Sequence, residues 1–276
     1  MTLNRWLAVM FVLPVFGCVG EARILETDEL TLEMQEAQRL HIDVGAGDLL
    51  VEGVEGLDRV ELVYELTTER NVFAEDDAAQ EALEVVLATD ASGDLTALVE
   101  LDDAPAGYYV NVRMRAPSHL ALTVEDSSGD TWIRDFAALD LQDESGDVEV
   151  ERIAGAVTID DGSGALSLDS VGPTSIEDAS GDMRVREVSG PLDIDADSGD
   201  IDVSRVSGSI SVLDTSGDMD VTDGGADLNI MDGSGRITVD AISGRVSIRD
   251  GSGDIVVGQV GELDIISNGS GQLRRR

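Results

Sequence analysis

SGRITVDAISGRVSIRDG, residues 234–251, is one period of a repeat that fills the second half of this chain. Ile237 and Val239 alternate with polar neighbours, as do Val246 and Ile248, so each pair reads as the inward side of a short strand with period two. The two strands lie nine residues apart, Ile242 supplies a fifth apolar position, and Gly244 marks a second corner. A Ser-Gly pair, set in the phrase Asp-x-Ser-Gly-Asp, returns every 17 or 18 residues from Ser128-Gly129 to Ser270-Gly271. Self-similarity at a short fixed period is the signature of a stacked repeat architecture.

The same five positions are apolar in other periods: Ile201, Val203, Val206, Ile210 and Val212 in one, Met183, Val185, Val188, Leu192 and Ile194 in another. Equivalent residues at one coil length let each coil hydrogen-bond to the next and stack its aliphatics into a continuous column. The fold expected is all-β: a parallel β-solenoid of about nine coils of 17–18 residues, with an N-terminal α+β capping region. At about 4.8 Å per coil the rod would be on the order of 40 Å long.

The corner phrase carries two readings. Asp at the first place and Gly at the fourth suit a type I turn, as in Asp250-Gly251-Ser252-Gly253, and glycine supplies backbone that other residues avoid. The alternative is that carboxylates on either side of the turn, such as Asp250 and Asp254, form stacked columns for calcium, a cation that takes oxygen ligands. Ala165, Ala196, Arg236, Asn268 and Gln272 interrupt those columns, so the turn reading is preferred and no cofactor or metal is expected.

The chain before the repeats divides into three stretches. Residues 1–17 read as a secretory signal, with Arg5 as the positive region and Trp6 to Phe16 as an apolar run too short for a permanent membrane helix. Residues 18–38 read as a tether or initial strand, and residues 39–120 as a cap over the open end of the solenoid. In that cap Leu40, Ile42 and Val44 alternate, Gly45-Ala46-Gly47-Asp48 echoes the repeat corner, and Val60, Leu62, Tyr64 and Leu66 form a strand. From Ala74 to Leu87 the spacing of Ala78, Leu83, Val86 and Leu87 predicts a helix, and strands return over Leu95–Leu101 and Tyr109–Met114. Residues 121–276 are the solenoid, ending in Arg274-Arg275-Arg276, charges that discourage edge-to-edge pairing.

Composition narrows the function. The formal net charge is −39, and all 18 basic residues are arginine, so phosphate-rich nucleic acid would be repelled. His41 and His119 are the only histidines and both lie outside the regular coils, which leaves no material for a Ser-His-Asp arrangement or a histidine-rich zinc site. Gly251-Ser252-Gly253 lacks the third glycine and the helix of a dinucleotide fingerprint. Carboxylates repeated in nearly every coil single out no glycosidase pair, so no catalytic residue is assigned. Of the outward rows, the one from Asp140 to Asp264 carries small polar residues suited to a hydrogen-bonded ladder or a glycan-contacting surface, while the other begins at Trp132, the one outward aromatic, which suits either a contact or a buried corner.

Val15-Phe16-Gly17-Cys18 resembles the lipobox of bacterial lipoproteins. That resemblance implies lipidation of Cys18, the only cysteine, and Val19 after it implies the outer membrane. The Gly45-Ala46-Gly47-Asp48 opening, the interrupting helix, the Val110–Pro117 strand ending in Ala-Pro, and the serial Ser-Gly-Asp coils resemble the bacterial "putative adhesin" β-strand-repeat family, a domain of unknown function. The resemblance covers residues 39–272 and implies a β-solenoid on the cell envelope with no catalytic residue to carry over. The function expected is a non-enzymatic, lipid-anchored envelope scaffold or adhesin-like binding surface, with the membrane as one partner through Cys18 and an envelope protein or glycan as another. The alternatives are a calcium-stabilised protein like the β-roll and, behind it, a polysaccharide-active enzyme.

Overall fold

The computed structural model describes residues 22–34, 37–68, 75–101 and 103–276, so the signal segment and Cys18 lie outside the described residues. From Ala121 onward the chain winds as nine coils of a parallel β-solenoid. Each coil contributes one strand before its Ser-Gly corner and one after it. The first row stacks in register, Leu122 on Leu139 on Val157, and the second likewise, Ile133 on Val150 on Leu168. The core is the narrow space between these two rows. Its side chains are those that period two assigns inward, from Leu139 and Leu141 to Ile255 and Val257, all nearly inaccessible to water. A coil on its own leaves both inward pairs in water, so burial rewards only the stack.

The N-terminal strands are β1 (Arg23–Glu33), β2 (Arg39–Ala46), β3 (Leu49–Val54) and β4 (Arg59–Thr68). Helix α1 (Asp76–Ala82) follows, then β5 (Leu83–Thr89), β6 (Leu95–Leu101) and β7 (Tyr108–Pro117). The spatial order here is not the chain order. Strand β2 pairs in parallel both with β6, Leu40 beside Leu95, and with the first solenoid strand, Leu40 beside Leu122. Strand β3 likewise lies between β7 and Thr131–Arg134. The coil made by β2 and β3 is thus sandwiched, and the chain steps over it from Pro117 to Ala121. Beyond β6 and β7 the pairing turns antiparallel, β5 on β6, β4 on β7 and β1 on β4, which ends the parallel ladder.

The helix differs from the expected Ala74–Leu87 span. It covers only Asp76–Ala82, its buried residue is Ala79 rather than Ala78, and Leu83, Val86 and Leu87 belong to β5. A seven-residue helix has little to set against the cost of nucleation, whereas Leu83–Thr89 gains a full antiparallel partner in β6. Asp76 still binds the region together: it takes a bidentate bond from Arg23 of β1 at 2.8 and 2.9 Å and one from the Tyr108 hydroxyl of β7 at 2.9 Å.

The two corners work differently. At the Ser-Gly corner the Asp carboxylate accepts the N–H of the Ser two residues on, as Asp250 does from Ser252 at 2.8 Å, so the corner is an Asx turn. Its backbone bonds run to neighbouring coils, for example the Gly235 N–H to Ser252 O at 3.1 Å. Glycine is required by close approach as much as by conformation. A Cβ on Gly146 (φ +143°) would stand 1.8 Å from the Gly129 carbonyl oxygen. The second corner instead uses a residue with φ between 53° and 66°: Asp135, Arg152, Ser170, Glu187, Arg205, Asp223 and Ala241 in successive coils. Coil-to-coil pairs tie this row, Arg152 to Asp135 at 2.7 Å and Arg205 to Glu187 at 3.1 Å. The next residue turns inward, and in the first coil it is Phe136, 2% exposed.

Candidate functional site

The aspartates of the repeat form two columns with opposite environments. Asp126, Asp143, Asp161, Asp178, Asp214, Asp232 and Asp250 lie at the end of the first strand of their coils or two residues before it, two residues beyond an inward aliphatic and therefore on its side of the strand. They are between 1% and 6% exposed. Register stacks Asp126 on Asp143, Asp161 and Asp178, then Ala196, then Asp214, Asp232, Asp250 and finally Asn268. Serine N–H groups satisfy Oδ1 in all but Asp143. At the head of the column Asp126 Oδ2 receives the Thr131 hydroxyl at 2.5 Å. Below it Oδ2 of Asp161, Asp178, Asp214, Asp232 and Asp250, and both oxygens of Asp143, are buried without a hydrogen-bond partner.

The second column follows the glycine and faces water. Its carboxylates reach across to the next coil: Asp147 accepts the Ala165 N–H at 2.9 Å, Asp200 that of Asp218 at 2.9 Å, and Asp218 that of Arg236 at 2.9 Å. Asp48, Asp130, Asp182 and Asp254 do the same. These side chains serve the backbone.

Burial sets the proton affinities of the inner column. Loss of water pushes Asp126, Asp161, Asp178, Asp214 and Asp232 up to about 6. Asp143 goes highest, to about 7, raised first by burial and then by Asp126 and Asp161. Asp250 is raised by burial and held back by its Ser252 amide.

A groove of about 560 Å³ runs along the outer side of the second strand row, between Ala165 and Thr238. Asp200, Asp202, Asp218 and Asp220 line it together with Arg184 and Arg236. Arg184 lies 3.5 Å from Asp202 and Arg236 3.7 Å from Asp218, while burial and Asp202 raise the pKa of Asp220. This is the face that begins with Trp132, not the small-polar face expected to meet a glycan. Trp132 is half-buried next to Glu149, outside the groove. His41 lies on the outer side of β2 beside Thr96 and Thr123, and His119 is exposed after β7. Among the described residues no group of three or more His, Cys, Asp or Glu could hold a metal ion, and no helix is long and apolar enough to cross a membrane.

The sequence offers Asp250 and its equivalents as turn formers or as a stacked carboxylate column for calcium; the structure adds that this column is buried on the aliphatic side of the strand. The signal was present: Leu139, Leu141 and Asp143 share one parity, and alternation continued for two more residues points the carboxyl inward.

A family model described as Toastrack DUF4097 matches residues 21–226. Among solved structures the chain is similar to a putative adhesin from Bacteroides fragilis, at 9% identity and a TM-score of 0.47 over 91% of this chain and 97% of that one. It is also similar to a putative adhesin from Parabacteroides merdae, at 12% identity and a TM-score of 0.44 over 91% and 96%. A putative cell adhesion protein from Clostridium sporogenes aligns at 10% identity and a TM-score of 0.37 over 92% and 100%. No curated protein matches the sequence.

Proposed function

The chain belongs to the Toastrack DUF4097 family, and we propose that it is a non-enzymatic, lipid-anchored protein of the bacterial cell envelope whose solenoid is a rigid, adhesin-like binding scaffold. The observation that carries this reading is the equivalence of the coils. The aspartates of the corner phrase recur in register through the stack, either buried in the Asp126–Asp250 column or, after the glycine, bonded to the backbone of the next coil, so neither column sets a pair apart for acid–base chemistry. The Asp200–Arg236 groove offers carboxylate acceptors flanked by guanidinium donors, the chemistry that meets the hydroxyl and amide groups of a glycan or envelope protein. Lipid on Cys18 would hold the rod at a membrane, with the outer membrane as the destination that Val19 favours.

Fractionation of bacteria expressing the full chain tests the anchor. The chain should sediment with membranes and Cys18→Ser should release it; a soluble wild type, or a Cys18→Ser chain that stays on membranes, overturns that part. The surface is tested by applying the full chain in detergent to an array of bacterial envelope polysaccharides. Retention that disappears in an Asp202→Arg, Asp220→Arg double variant supports the groove, and retention unchanged by it removes the groove from the reading.

A further inference from the structure

We propose that the buried aspartate column, Asp126 to Asp250, is a proton-binding site: its carboxyl groups stay neutral and protonated into the mildly acidic range, where exposed aspartates are ionised, so the solenoid takes up protons when it folds at mildly acidic pH. The argument begins with unmet bonds. An ionised carboxylate only accepts hydrogen bonds, and in water all its lone pairs are occupied. In the column one oxygen of each of Asp161, Asp178, Asp214, Asp232 and Asp250, and both of Asp143, receives nothing. Burying charge with unmet acceptors is costly, and the ordinary response is to neutralise it.

The neighbours sharpen the point. Parallel register sets each carboxyl over the next at about 4.8 Å, where like charges repel strongly out of water. The charged groups that face the column from the corners and strands packed on it are Asp48, Asp130, Asp147, Asp160, Asp197 and Asp200, every one acidic. Among the described residues none of these carboxyls is in an ion pair with an arginine or histidine; their hydrogen bonds come from serine N–H groups and from the Thr131 hydroxyl. The same column admits neutral side chains where the sequence supplies them, Val44 beside Asp126, Ala196 beside Asp178 and Asp214, and Asn268 beside Asp250. Asn268 is the neutral isostere of a protonated aspartic acid. The raised proton affinities, about 6 to about 7, agree with the geometry.

The direction follows from linkage. These groups bind protons more tightly folded than unfolded, so their contribution is complete below about pH 4 and is lost as pH rises through 6 to 7. Each proton taken up on folding changes the unfolding equilibrium about tenfold per pH unit.

The test is the unfolding midpoint of the full chain in detergent between pH 5 and pH 8, with wild type, Asp143→Asn and Asp232→Asn. Asp193→Asn, which removes an exposed outward charge, is the control. The wild-type midpoint should fall toward pH 8. Asp143→Asn and Asp232→Asn should each raise the midpoint at pH 8 and flatten the pH slope, and Asp193→Asn should leave the slope unchanged. A wild type at least as stable at pH 8 as at pH 5, or column variants less stable than wild type at pH 8, overturns the proposal. So does a pH 8 midpoint restored by calcium and lost in chelator, which would make the column's ligand a metal. Should a variant fail to fold, infrared spectroscopy of the wild type decides: the carbonyl band of a protonated carboxyl at pH 6 is expected, and its absence is fatal.

Discussion

Gly181 sits so close over Gly164 that a Cβ added to it would stand 1.6 Å from the Gly164 carbonyl oxygen. The obstacle is the backbone of the preceding coil, which cannot move without breaking the ladder. Gly181→Ala should therefore cost about 1–3 kcal/mol. Gly224→Ala makes a contrast, because there the Cβ meets the far end of the Ile242 side chain at 2.8 Å, which yields more readily than the backbone of a ladder. That substitution should be neutral or stabilise by up to about 1 kcal/mol through the unfolded chain. Urea unfolding of both variants checks the pair; equal losses would contradict the close-approach account.

The outward carboxylates bond the backbone of the next coil, and Ala165 interrupts them. The N–H of Asp182 consequently lacks the side-chain acceptor that Ala165 itself enjoys from Asp147. Ala165→Asn restores an acceptor without adding charge and should stabilise by about 0.5–1 kcal/mol, read as a higher thermal midpoint. Asp218→Ala, which removes the bond to the Arg236 N–H, should lower it.

Phe136 fills the first coil at the position held by smaller aliphatics farther along. It is 2% exposed. Phe136→Ala should cost about 3–5 kcal/mol, and Val188→Ala less, because less volume is removed. Chemical denaturation distinguishes them.

Arg23, Asp76 and Tyr108 tie β1, α1 and β7 together. The Arg23 guanidinium holds the Asp76 carboxyl below its ordinary value, so this tie is present above about pH 4 and is lost as pH falls through the lowered value. The expected consequence is that Asp76→Asn speeds amide hydrogen exchange in Arg23–Glu33 while leaving the distant coils unchanged. Uniform acceleration across the chain would show that the tie holds more than the cap.

The solenoid was legible because each coil states its register independently: Ile237, Val239, Val246 and Ile248 repeat in parity and spacing, and parallel stacking adds nothing to decipher. Gly244 marks a second corner in the sequence, but the left-handed residue three positions before it was not legible, since Asp135, Arg152, Ser170, Glu187 and Ala241 share that backbone but no chemistry that announces it. Leu83–Thr89 fits both helical and strand spacing, and only its partner β6 decides between them. The insertion of the β2–β3 coil between β6–β7 and Ala121–Arg134 is a long-range pairing choice that local pattern does not encode. Of the candidate sites, the groove depends on which outward charges share a concavity, which alternation alone leaves open, and Cys18 rests on its lipobox context outside the described residues.

The most direct test of a scaffold held by its own backbone and Asx corners is the thermal unfolding of the full chain by circular dichroism, first with excess calcium and then with chelator. A midpoint that stays in place is expected, because Oδ1 of Asp250 and its equivalents is already committed to serine N–H groups. A chain that folds only with calcium, or whose midpoint rises steeply with it, would contradict that, since a ligand stabilises the state it binds according to its concentration and affinity.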